Sequence, residues 1–185
     1  SRGLGDVYKR QVLENRWRVY TAQLSGADLG EATLVDEGDS NWLTPSIAAV
    51  ENTAFWQASP QTTGENSKDN SVLKAARFGS KESSVVYSSK RVFATRVCPV
   101  ADGVVITPRV DSTSVYYQLT KIDESTLQTS DSLVLPTSMK PYEASWGETG
   151  FSFAFESIYN YGGGIANLGT YTPLSKPAAY SYQNI

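Results

Sequence analysis

The chain has 185 residues, with 16 basic and 19 acidic side chains, no histidine and a net charge of −3. That balance argues against a nucleic-acid or anionic-membrane partner, both of which select for basic patches, and the lack of histidine removes every mechanism that needs an imidazole base or metal ligand. A single cysteine, Cys98, permits neither an internal disulfide nor a cysteine zinc site and reads as a small buried hydrophobe, and no run of 18 apolar residues offers a membrane-spanning helix.

Residues 1–11, Ser-Arg-Gly-Leu-Gly-Asp-Val-Tyr-Lys-Arg-Gln, can be written back into codons that resemble the transposase adaptor used to prepare DNA for short-read sequencing. The segment is therefore expected to be non-native and to add nothing to the fold, with the true start of the protein missing and a signal peptide left open. Without it, 13 basic and 18 acidic residues remain and the net charge becomes −5. Aromatic residues are plentiful (11 Tyr, 4 Trp and 6 Phe) and charged residues make up only 19% of the chain. This is the composition of a β-rich protein and not of a disordered one.

Helical periodicity is nearly absent, and short alternating segments broken by Gly, Pro, Asn, Asp and Ser run throughout. Residues 16–24 predict a strand with Trp17, Val19, Thr21 and Gln23 on one face, and 32–35 a short second one. Strands at 45–50 and 54–57 follow across the turn Glu51-Asn52-Thr53. The polar stretch 59–70 reads as a long loop, and 72–78 and 84–87 as the next two strands. Residues 97–101 turn through Asp102-Gly103, a strong hairpin signal, into 104–109. Strands at 114–122 and 127–135 are separated by Asp123-Glu124-Ser125. A third round has strands at 141–146 and 151–156, the latter with Phe151, Phe153 and Phe155 on one face. After Tyr159-Asn160-Tyr161 and the triple glycine 162–164 comes a strand at 165–171, and from Pro173 the tail reads as irregular.

One shape recurs: a proline, a short apolar strand, a tight turn and a more apolar strand. It begins at Pro45, Pro99 and Pro141, spaced 54 and 42 residues apart. Four strands per roughly 40–55 residues is the spacing of a β-propeller blade. Proline suits a first strand, whose outer edge needs no ladder N–H. The stretch Ala144-Ser145-Trp146-Gly147-Glu148-Thr149-Gly150-Phe151-Ser152-Phe153-Ala154-Phe155 resembles the WD40-like repeat of TolB-type propellers, with Gly147-Glu148-Thr149-Gly150 standing where that repeat has Ser-Pro-Asp-Gly. Asp102-Gly103 before Val104-Val105-Ile106 keeps its Asp-Gly and its apolar strand. The block from Gly150 to Tyr171 is also similar to uncharacterised exported bacterial proteins of this group.

The expected fold class is all-β: a partial β-propeller of four-stranded antiparallel blades, about half of a six- to eight-bladed ring, with a β-sandwich as the runner-up. The expected organisation is a non-native tail at 1–11, the partial propeller at 12–172 and an irregular, truncated tail at 173–185. Its first blade would lack the inner two strands and its last blade the outer one.

No catalytic, cofactor-binding or metal-binding residue is assigned. Propeller glycosidases need two carboxylates flanking a sugar. Glu143, Glu148, Glu156, Asp102, Asp111 and Asp123 are available, but most fall in expected turns, where acidic residues help the turn and stay solvated. Ser25, Asp28 and Gly30 miss the spacing of a sialidase Asp-box. Gly162-Gly163-Gly164 lacks the lysine and helix start of a phosphate loop and reads as a hairpin tip. Trp42, Trp56, Trp146, Phe151, Phe153 and Phe155 suit packing between sheets. Tyr159 and Tyr161, on a loop, are the candidate partner contacts.

The resemblance implies a non-catalytic binding scaffold outside the cytoplasm (periplasmic, at the cell surface or secreted) that recognises a protein or an envelope polymer. Neither nucleic acid, nor membrane insertion within this segment, nor any cofactor is expected. The alternative is a piece of a propeller glycosidase whose catalytic residues lie outside it.

Overall fold

Alternation of β-branched and aromatic residues with polar ones, interrupted every few residues by turn formers, produces strands and little else. The computed structural model describes the backbone of residues 6–13, 16–114, 116–134, 140–147, 150–156, 164–168 and 180–184, and the side chains of 16–114 and 116–134. Among the described residues the chain is all-β, without a helix, and its strands form antiparallel sheets, none of which closes on itself.

Three of the sheets are simple meanders in chain order. The first comprises β5 (Ser46–Val50), β6 (Thr53–Ala58), β7 (Ser71–Arg77) and β8 (Ser84–Ser89). The second comprises β9 (Cys98–Val100), β10 (Gly103–Ile106), β11 (Gln118–Asp123) and β12 (Thr129–Val134). The third comprises β13 (Lys140–Gly147), β14 (Gly150–Glu156), β15 (Gly164–Leu168) and β16 (Tyr180–Asn184). Ahead of them, β2 (Arg16–Ser25) pairs on one side with β1 (Asp6–Leu13) and on the other with β4 (Thr33–Gly38), and its end folds back on the two-residue β3 (Asp28–Leu29).

The hairpins explain two of the sequence signals. Val50 pairs with Thr53, so Glu51-Asn52 is a two-residue turn in which Glu51 takes φ +48°. Val100 pairs with Gly103, so the next hairpin turns through Ala101-Asp102, one residue earlier than the Asp-Gly signal implies. Gly103 is required there by close approach: a Cβ at this position would stand 2.0 Å from the carbonyl oxygen of Ile122 on the neighbouring strand. Pro99 lies within β9, whose only partner among the described strands is β10, so its missing N–H costs no ladder bond.

The sheet β5–β8 is covered on both faces. On one face Ala54, Trp56, Ala58, Ala76 and Phe78 pack with Trp17, Val19 and Val35 of the β1–β4 sheet. On the other, Ala48, Val50, Phe55, Leu73 and Ala75 pack with Val104, Ile106 and Ile122 of the β9–β12 sheet, and Phe93 and Val97 of the linker fill the edge. Successive residues of a strand point to opposite faces, so Phe55 and Trp56, both fully buried, serve different cores. Every residue of β6 and of β10 is buried, whereas β8 has no buried residue and β12 only Leu133. Each large side chain buried in this way contributes about 1.5–3 kcal/mol.

Polar ties link the same sheets. The Trp56 indole N–H donates to Asp36 Oδ2 at 2.7 Å and Lys74 Nζ to Asp36 Oδ1 at 2.8 Å. Arg77 pairs with the Glu124 carboxylate and also donates to the Glu124 and Ser125 carbonyls at 2.9 and 3.1 Å. Lying between sheets, these bonds hold one sheet against the next.

Several elements differ in extent from the sequence reading. Residues 6–13, largely within the segment read as adaptor, are placed as a strand along β2, with Val12 opposite Trp17. The expected strand at 114–122 is shortened to Gln118–Asp123 because Asp111 folds the preceding residues into a turn, accepting hydrogen bonds from the Thr113 and Ser114 amides. The tail, read as irregular from Pro173, carries β16, where Tyr-Ser-Tyr-Gln-Asn pairs with β15. Alternating tyrosines are good strand formers.

Candidate functional site

The two ends of the stacked sheets are built differently. Alternation of strand direction sends the short connections at 51–52, 78–83, 101–102 and 124–128 to one end. The connections at 39–45, 59–70, 90–97 and 107–117, all longer, lie at the other. They bond to one another there: Leu43 N–H to Ser59 O at 2.8 Å, Gly64 N–H to Lys90 O at 3.0 Å and Ala94 N–H to Thr107 O at 2.8 Å. The Ser112 hydroxyl donates to Glu65 at 3.1 Å. Long loops fixed on rigid sheets are where binding residues concentrate.

A cavity of about 490 Å³ opens at this end, between the chain entering β5, the last residues of β6 and the linker into β9. Leu43, Ile47, Val92, Phe93 and Val97 supply its apolar wall, and Thr44, Ser46, Gln57, Ser59, Thr95 and Arg96 its polar groups. Its volume lies within the range that holds small ligands.

The polar wall is ordered by a relay. The Val97 N–H donates to Ser46 Oγ at 3.3 Å, and the Ser46 hydroxyl donates to Gln57 Oε1 at 2.8 Å. Gln57 is 8% exposed, and its Nε2 has no hydrogen-bond partner. The hydroxyls of Thr95 and Thr107 lie 2.8 Å apart, with the Thr95 amide donating to Thr107 Oγ1 at 2.7 Å, which fixes the linker beneath the opening. Arg96 is exposed and has no acidic partner among the described residues.

The carboxylates considered for catalysis fall elsewhere. Asp102, in the β9–β10 turn, pairs with Lys121 at 2.8 Å. Asp123 closes the β11–β12 turn, accepting from the Ser125 and Thr126 hydroxyls and the Thr126 amide, and these bonds hold its carboxyl well below the usual range, at about 2. Asp111 is likewise lowered by the Thr113 hydroxyl and the Ser114 and Thr113 amides. A general acid needs the opposite shift. Asp111 sits ahead of β11 and Asp123 is its last residue, so a strand roughly 20 Å long lies between them. Asp28 lies in exposed β3.

Trp56 is a core residue, and Trp42 is half-buried against the same cluster, with a bridge to Pro60. Cys98 is buried. Tyr159, Tyr161, Gly162, Gly163 and Glu148 lie outside the described residues, as do the side chains of Glu143, Trp146, Phe151, Phe153, Phe155 and Glu156. The described residues include no grouping of three or more His, Cys, Asp or Glu able to hold a metal. Nor do they include a helix long and apolar enough to cross a membrane.

The cavity has no signature in the sequence. Its wall comes from three separated segments, and Gln57 reads as the polar end of an apolar strand. Comparison with protein-family models, with curated proteins and with solved structures finds no match to this chain.

Proposed function

We propose that the chain is a non-catalytic binding scaffold built as part of a β-propeller, in which the loop-rich end recognises a protein or an envelope polymer. The observation that carries this reading is the β5–β8 sheet packed on both faces, against the β1–β4 sheet and the β9–β12 sheet. In a two-sheet sandwich each sheet buries one face. Radial repetition of blades instead gives every inner sheet two neighbours. The first strands agree, β5 lying beside β9 and β9 beside β13, as inner strands do around a common axis.

A scaffold of this kind presents its connections as the recognition surface, and the long connections with their cavity occupy one end here. The hydrogen-bonded, acid-shifted turn aspartates favour binding over glycoside hydrolysis. An extracytoplasmic site of action follows from the TolB-type resemblance and from nothing else.

The test is co-sedimentation of the purified chain with isolated cell-wall sacculi, run beside a panel of chromogenic glycosides. Binding without turnover, lost on Leu43→Asp at the loop end and retained on Glu124→Gln at the turn end, is the expected result. Glycoside turnover abolished by a single Asp or Glu substitution would replace the scaffold with the glycosidase reading.

A further inference from the structure

We infer that the face of the β1–β4 sheet turned away from β5–β8 is an interaction surface, and that its occupant is a second copy of this chain, docked face to face about a two-fold axis. This goes beyond the recognition reading, which concerns the loop end.

The first ground is the composition of that face. Trp17 and Val19 of β2 enter the core shared with β5–β8. Strand alternation therefore sends Arg16, Arg18, Tyr20, Ala22 and Leu24 to the other side. Cross-strand register adds Leu34, opposite Tyr20, and Leu29, opposite Leu24. Tyr20, Leu34, Leu24 and Leu29 thus form one strip, in which Leu34 is 41% and Leu29 58% exposed. Scattered exposed leucines are ordinary, whereas contiguous ones mark an interaction surface. The β5–β8 sheet shows how this fold treats apolar sheet faces: each of its two is covered by another sheet.

The second ground is the charge at the two ends of the strip, which selects a second copy. Strand β4 runs into the loop end and Trp17 pairs with Gly38, so β2 starts at the loop end and finishes at the turn end. Arg18 pairs with Glu37 at 3.2 Å, which leaves the exposed Arg16 as the net charge at the loop end. Exposed Asp28, opposite Ser25, and exposed Glu31 lie toward the turn end. A two-fold axis between the sheets and across β2 runs the two copies of that strand antiparallel. Arg16 of each copy then meets the acidic end of the other, and the leucines meet in the middle. One patch is complementary to itself, as an isologous interface requires.

The third ground is area. The ten residues of β2 span about 33 Å and three strands about 14 Å across. Roughly 450 Å² of each copy is then covered, about 900 Å² in all, which is the low end of specific interfaces and suits a micromolar dimer, not a permanent one.

Sedimentation equilibrium of the purified chain from about 1 to 300 μM reads the association directly. The mass is expected to rise from 20.2 kDa to twice that, with Kd on the order of 10 μM. Leu34→Glu is expected to weaken the dimer by at least about tenfold. Leu29→Glu, at the more exposed position, is expected to do the same and decides the matter if Leu34→Glu loses its near-UV circular dichroism. Arg16→Glu and Asp28→Lys are each expected to weaken association, and the double variant to regain it, because each end then meets its opposite again. A monomer at every concentration would overturn the inference, as would growth past the dimer, which means head-to-tail stacking. So would a double variant no better than the single ones, or association that survives both leucine substitutions and is lost on Val85→Glu in the edge strand β8.

Discussion

Two residues show how local chemistry sets behaviour at single positions. Asp123 is only half-buried, and three hydrogen bonds from Ser125 and Thr126 stabilise its charged form and hold its pKa at about 2. A carboxyl depressed in the folded state stabilises the fold above its unfolded pKa, near 4, and loses that contribution as pH falls through the folded value. The carboxyl carbon of Asp123 is therefore expected to titrate by NMR with a midpoint close to 2, and a midpoint near 4 would mean that the turn does not form in solution. Gly103 responds to space and not to charge. Gly103→Ala drives a methyl against the Ile122 carbonyl, and neither backbone can yield without opening the β10–β11 ladder. A loss of roughly 1–3 kcal/mol in denaturant unfolding is expected; an unchanged midpoint would refute the close approach.

At the scale of elements, the recurrent proline, short strand, turn and apolar strand were legible because burial on both faces leaves a continuous apolar run. Ala54-Phe55-Trp56 and Val104-Val105-Ile106 are such runs, and they became the wholly buried β6 and β10. The short β3 was not legible, since two exposed residues at the end of β2 carry no periodicity. Nor was the cavity, because Ser46, Gln57 and Arg96 are distant in sequence and only sheet packing brings them together. Strand β1 sets the sequence against the placement. Its Tyr-Lys-Arg-Gln centre lacks apolar alternation, although its backbone pairs with β2 from Asp6 to Leu13. An edge strand without an apolar face adds hydrogen bonds that water supplies equally well, and each is worth little net. Deleting residues 1–11 is therefore expected to leave the melting temperature unchanged within error. A loss of several degrees would show that the segment belongs to the fold.

For the molecule as a whole, the decisive feature is that neighbouring residues of one strand belong to different cores. Phe55 packs toward the β9–β12 sheet and Trp56 toward the β1–β4 sheet. Were the sheets independent units, Phe55→Ala would weaken one of them and Trp56→Ala another, and melting would split into separate steps. Because both side chains hang from β6, loss of either core also bares a face of the sheet that completes the other, so the three sheets are coupled. Each substitution removes a fully buried aromatic ring, at a cost of about 3–5 kcal/mol. Trp56→Ala also leaves Asp36 with Lys74 as its one remaining partner from the β5–β8 sheet. The expected result is that both variants melt in a single transition, lowered by roughly ten degrees for a chain of this size, and that hydrogen exchange at β6 is the slowest in the molecule in each. Two resolved transitions, or a Phe55→Ala variant in which the β1–β4 sheet keeps its full protection, would mean that the sheets fold separately. The radial stack on which the scaffold reading rests would then be untenable.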